Sequence, residues 1–131
     1  MKTILIHILL LATLSFAGCQ NSVTGHGSVK QASVEQTKRA VDNNKNVQFI
    51  DVRTESEYES GHAPGTVNLP IDSLEKELAK LDPEKPVYLI CQTGRRSQKG
   101  AEILEKNNFK NVYNVEGGTS AWEKAGFQVE K

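Results

Sequence analysis

A thiol followed at fixed spacing by a glycine and two arginines gives this chain its chemistry. Cys91 ends the apolar run Pro86-Val87-Tyr88-Leu89-Ile90 and opens Gln92-Thr93-Gly94-Arg95-Arg96-Ser97, after which the composition turns helical. A strand that passes through a glycine turn into a helix aims backbone N–H groups and the positive end of a helix dipole at one point. A thiol at that point is driven toward thiolate by those groups and by the two guanidiniums. Gly94 lets the backbone curl, and the spacing C-x-x-x-x-R places Arg96 where it can offer fixed charge and paired donors. Such a thiolate can accept a group and pass it on, a double displacement through a covalent intermediate. No adjacent general base is required when the leaving group is itself a stable anion such as sulfite. A buried, inert cysteine at a strand end is the plainer alternative, but it leaves Gly94, Arg95 and Arg96 in the same turn without a purpose.

The other cysteine, Cys19, carries a different signal. Met1-Lys2 is a short positive region, and residues 4–17 are almost wholly apolar, too few for a comfortable membrane span of about 20 residues. The pattern matches the apolar region of a secretory signal. It ends in Phe16-Ala17-Gly18-Cys19, which resembles the bacterial lipoprotein lipobox with Phe in place of the usual Leu. The resemblance implies cleavage of residues 1–18, acylation of Cys19 and a stable lipid anchor. With Gln20 rather than Asp next, it implies a periplasm-facing protein of the bacterial cell envelope, held at the outer membrane. Removing residues 1–18 takes out only Lys2, leaving 15 basic against 16 acidic side chains. That balance argues neither for nucleic acid nor for a polybasic membrane patch. Cys91 would then be the one free thiol of the mature chain, with no resolving partner, and in an oxidising compartment reactivity is its natural explanation.

The elements that must position Cys91 follow from pattern. Residues 19–32 are polar and read as a flexible tether, which leaves 33–131 as one folded domain. Ser33 with Gln36 forms a capping box, and Val34, Thr37, Ala40 and Val41 mark a helix face. Residues 47–52 form a strand, Thr54 with Glu57 opens a short helix that Gly61 breaks, and residues 67–70 form a very short strand. Leu74, Leu78 and Leu81 give a helical stripe that stops before Pro83. A buried strand over 87–90, a helix over about 97–107, a strand over 112–115 and a helix through Trp122 complete the chain. Strands alternating with helices imply an α/β fold, a parallel sheet covered on both faces, with ligands at the carboxyl ends of the strands.

Three blocks then resemble the single-domain rhodanese (thiosulfate sulfurtransferase) family. They are Asp51-Val52-Arg53 through Glu57-Tyr58 to Gly61-His62-Ala63-Pro64-Gly65-Thr66-Val67-Asn68-Leu69-Pro70, the loop Cys91 to Ser97, and Gly117-Gly118-Thr119-Ser120-Ala121-Trp122 to Gly126. The resemblance implies a single rhodanese-like domain with a central parallel β-sheet and helices on both faces. It implies that Cys91 takes a sulfane sulfur from thiosulfate or a similar small anion as a persulfide. It also implies donation to cyanide or a thiol, with no cofactor and no metal. The amides of Gln92, Thr93, Gly94, Arg95 and Arg96 would hold the outer sulfur, and Arg96 would close the loop. Phosphatases and arsenate reductases of related architecture resemble C-x-x-x-x-x-R, one residue longer; here Ser97 stands where that pattern wants Arg, so a sulfur atom fits better than phosphate. A non-catalytic binding module or sulfur carrier is the other alternative.

Asp51 is expected to be structural, tying Arg53 or the active loop in place. His62, beside Pro64-Gly65, is expected to be a hydrogen-bonded turn residue rather than a base. Trp122 is expected in the core or as a rim over the loop, and Lys99 in solvent. His7 and His26 are isolated and make no metal site.

Overall fold

The computed structural model describes residues 28–131; the lipobox, Cys19 and most of the tether lie outside the described residues. A five-stranded, all-parallel sheet is built from β1 (Lys30–Ala32), β2 (Gln48–Asp51), β3 (Val67–Asn68), β4 (Val87–Ile90) and β5 (Val112–Val115), in the order β1-β5-β4-β2-β3. The central strand β4 is buried on both faces, as the unbroken apolar run of a parallel strand requires.

Alternation along β4 sorts the core into two layers. Val87, Leu89 and Cys91 join Ile50, Val52, Leu74, Ala101 and Leu104 on one face, under α3 (Arg95–Lys106) and a 3₁₀ helix over Leu74–Lys80. Tyr88 and Ile90 join Phe49, Val34, Val115 and Trp122 on the other, under α1 (Val34–Asn43) and α4 (Gly118–Lys124). Trp122 is therefore core, and its indole Nε1 donates to the Gln128 carbonyl at 2.9 Å.

Both expected capping boxes form. Ser33 caps α1 with Gln36 reaching back, and Thr54 caps α2 (Glu55–Ser60) with Glu57 reaching back. Three sequence expectations change. The tether does not extend to Ala32, because Lys30, Gln31 and Ala32 pair with Tyr113, Asn114 and Val115 as an edge strand. The helix of the leucine stripe is a 3₁₀ helix, a short connector form, and it ends at Lys80, so that Leu81 is its extended C-cap and not part of it. Helix α3 starts at Arg95, two residues before Ser97, because Gly94 takes a left-handed conformation (φ 96°) and turns the chain directly into the helix.

Candidate active site

Parallel pairing sets Asp51 beside Ile90, so the carboxyl ends of β2 and β4 deliver Asp51 and Cys91 to the same rim of the sheet. The Cys91 thiol is 1 % exposed and lies at the floor of the loop. Gly94 N–H donates to its sulfur at 3.1 Å, and the Ser97 hydroxyl lies 3.3 Å away. Burial alone would push the thiol up. The Ser97 hydroxyl and the N–H groups of Ser97, Thr93 and Gly94 outweigh it, and the net direction is below the ordinary cysteine value. The N-terminus of the 12-residue α3 adds its dipole in the same sense.

The first anchor of the loop is the pair Asp51–Arg53, both buried. Asp51 accepts from the Arg53 backbone N–H at 2.9 Å and from Nη2 at 2.7 Å, with Nε within 3.1 Å of both oxygens. The remaining Arg53 nitrogen, Nη1, donates to Gln92 Oε1 at 3.1 Å, and Gln92 Nε2 donates to Ser120 Oγ at 2.9 Å. Asp51 therefore orients Arg53, and Arg53 fixes the second residue of the loop. The Gln92 side chain is a brace between two elements and does not face the sulfur.

The second anchor is the start of α4. Thr119 donates through both N–H and Oγ1 to the Cys91 carbonyl, at 2.8 and 3.1 Å, and Ser120 N–H donates to the Gln92 carbonyl at 3.1 Å. Only glycine fits at 118, where a Cβ would stand 2.3 Å from the Cys91 carbonyl oxygen and the backbone holds φ 59°. The third anchor is Arg96, whose Nη1 and Nη2 donate to the two oxygens of Glu57 at 2.8 Å each. This bond holds the Glu57 carboxyl down at about 2.

Of the residues singled out from sequence, Cys91, Thr93 and Gly94 meet at the thiol through backbone groups. Arg96 closes the loop onto α2, and Arg95 is exposed with no carboxylate within salt-bridge reach among the described residues. His62 stands apart from the loop: Nδ1–H donates to the Tyr58 carbonyl at 2.8 Å, its ring stacks on Tyr58, and its backbone bridges Glu130. It supports the turn, as a hydrogen-bonded turn residue should. Four participants carried no assigned role in the sequence: Glu57 as the partner of Arg96, Ser97, Thr119 and Asn114. Ser97 had a local signal, standing directly after Arg96; Asn114 had none.

The Rhodanese-like domain family model matches residues 33–125. The chain belongs to the rhodanese-like family. Among its relatives, a putative sulfur carrier protein of Bacillus subtilis is 36 % identical over 105 residues, covering 80 % of this chain and 57 % of that protein. The thiosulfate sulfurtransferase GlpE of Shewanella oneidensis is 34 % identical over 98 residues, 75 % of this chain and 96 % of that one. The chain thus spans little more than half of the first relative and nearly all of the second. A rhodanese-like domain protein of Staphylococcus aureus superposes with a TM-score of 0.69 at 32 % identity, covering 79 % of this chain and 100 % of that chain.

Proposed function

We propose that this rhodanese-like domain is a sulfurtransferase that carries a sulfane sulfur on Cys91. The thiolate would attack the outer sulfur of thiosulfate or a similar donor, forming the Cys91 S–S bond as the bond to sulfite breaks and sulfite leaves with the electron pair. An acceptor nucleophile, cyanide or a thiol, would then take the outer sulfur and return the thiolate. The observation that carries the reading is the Cys91 sulfur under the Gly94 N–H and the Ser97 hydroxyl, in a loop one residue shorter than the oxyanion-binding pattern. The relative named as a thiosulfate sulfurtransferase, aligned over nearly its whole length, supports it.

Cys91→Ser abolishes cyanide-dependent thiocyanate formation on this reading, and retained turnover refutes it. Incubation with thiosulfate adds one sulfur, ~32 Da, to the Cys91 peptide under non-reducing conditions. The relative named as a putative sulfur carrier favours a second reading, in which the same persulfide waits for a protein acceptor. Loading without cyanide turnover separates that case.

The lipobox resemblance at residues 16–19 supports a further part of the proposal, a protein anchored through Cys19 and facing the periplasm at the outer membrane. Cys19→Ala then releases it from the membrane fraction; unchanged association refutes the anchor.

A further inference from the structure

Ser97 has one hydroxyl hydrogen and two claims on it. Its oxygen stands 3.3 Å from the Cys91 sulfur and 2.6 Å from Asn114 Oδ1, and both Ser97 and Asn114 are buried, at 0 % and 5 % exposed. Which atom receives the hydrogen depends on which way the Asn114 amide faces. Asn114 Nδ2 donates to Gln31 Oε1 at 2.9 Å, on the edge strand β1. Gln31 Nε2 donates to Gln98 Oε1 at 2.8 Å, and Gln98 Nε2 donates to the Glu102 carboxylate at 2.9 Å. A carboxylate only accepts, so it fixes the sense of every amide back along the chain. Reversing them would set the Gln98 oxygen against the Glu102 oxygen. Asn114 therefore presents its carbonyl oxygen to Ser97.

We propose that Asn114, oriented by Gln31, is a positioning residue that competes with Cys91 for the Ser97 hydroxyl hydrogen and so sets how readily the thiol ionises. While the thiol is protonated, S–H donates to Ser97 Oγ and Ser97 O–H donates to Asn114, and every group is satisfied. When the thiol proton leaves to solvent, the Ser97 hydrogen turns to the thiolate and the buried Asn114 oxygen loses its donor. Asn114 thus works against the Gly94, Thr93 and Ser97 N–H groups and keeps the resting thiol from ionising fully.

The charged groups around the thiol lie elsewhere. They are Arg95 and Arg96 on α3, Glu57 of α2 held by Arg96, and the Asp51–Arg53 pair at the carboxyl end of β2. Gly118 and Thr119 of α4 and Asn114 of β5 bring no charge, and Leu69 and Leu74 beneath are apolar. The competition at Ser97 is separable from all of them.

The test is the pH at which iodoacetamide half-alkylates Cys91 in the full chain, read on the Cys91 peptide by mass spectrometry so that Cys19 does not contribute. Asn114→Leu removes the competing acceptor and lowers that pH by about one unit, the scale of one hydrogen bond to a charged group. Gln31→Ala moves it in the same direction, because the freed amide can turn its N–H to Ser97. Gln31 is exposed and its side-chain hydrogen bonds go to Asn114 and Gln98, not to Cys91 or to residues 92–97, so this variant decides the matter if Asn114→Leu fails to fold. Gln31→Glu still accepts from Asn114 and produces no downward shift. In a Ser97→Ala background, Gln31→Ala moves nothing. An unchanged or raised pH in Gln31→Ala overturns the proposal, as does a downward shift that survives Ser97→Ala. The readout needs only a reactive Cys91 thiol, so a failure of sulfur transfer in the cyanide assay would leave this result standing.

Discussion

Arg96 and Glu57 hold each other through two parallel bonds of 2.8 Å, joining the first turn of α3 to the first turn of α2. The guanidinium that sequence spacing offers as fixed charge and paired donors is also the buckle of the loop. Glu57 serves twice, because the same carboxylate returns to the Thr54 N–H at 3.0 Å to complete the α2 capping box.

The pair makes an acid-sensitive contribution to stability. The Arg96 hydrogen bond leads the effects that lower the Glu57 carboxyl from 4.5 to about 2. A carboxyl depressed on folding stabilises the protein above its unfolded value and loses that contribution as pH falls from about 4.5 through about 2. Both side chains are about a third exposed, so solvent screening keeps the effect near 1 kcal/mol. Urea unfolding of Glu57→Gln should show that loss at pH 7 and a shallower decline than wild type below pH 4.5; parallel curves would contradict it.

Breaking the buried anchor should cost more. In Arg53→Met the Asp51 carboxylate stays 0 % exposed without its partner, and Gln92 loses its donor. Removing one member of a buried pair typically costs about 3–5 kcal/mol. Equilibrium unfolding measures this directly, and a change under about 1 kcal/mol would mean that the loop anchors elsewhere.

The thiol itself gives a third prediction. Folding lowers the Cys91 thiol, with burial opposed and outweighed by Ser97 and the loop N–H groups. Alkylation of Cys91 should therefore titrate at lower pH in the folded chain than in urea. Ser97→Ala should move the folded value back up, since among the described residues it deletes the one side-chain donor to the thiolate. Coincident folded and unfolded titrations would remove the activated thiol.

Gly118 and Gly126 make a matched comparison. Both hold positive φ, at 59° and 81°, but a Cβ at 118 meets the Cys91 carbonyl oxygen and the Gln92 backbone, whereas one at 126 meets nothing within 4 Å. Gly126→Ala should cost about 1 kcal/mol, the left-handed backbone alone. Gly118→Ala adds overpacking against main chain and should cost about 3 kcal/mol, together with loss of sulfur transfer. Equal thermal shifts would show that the loop can yield.

What the sequence could reveal follows the reach of each interaction. Both capping boxes are legible because Ser33–Gln36 and Thr54–Glu57 act within one turn. The strands β2, β4 and β5 announce themselves as short apolar runs. β1 does not, because Lys30-Gln31-Ala32 has no strand character of its own and is extended by pairing with residues 83 positions away. Asp51 and Arg53 can be paired from sequence, being two residues apart, but that the free end of Arg53 reaches Gln92 depends on the register of β2 against β4. Asn114 is the extreme case: an amide in a buried strand carries no motif, and its place beside Ser97 exists only in three dimensions.

The family match runs from 33 to 125, while β1 and the segment after Gly126 lie beyond it on either side. A shorter chain cut at those limits would retain Cys91, Arg96 and the glycines of α4. It would lose the Trp122–Gln128 and His62–Glu130 closures and strip β5 of its outer neighbour β1, leaving it paired with β4 alone. An edge strand of four residues, with its outward N–H and C=O groups unpaired, is a template for self-association. Trimming this protein to its recognisable motif would therefore open an edge on which copies could stack.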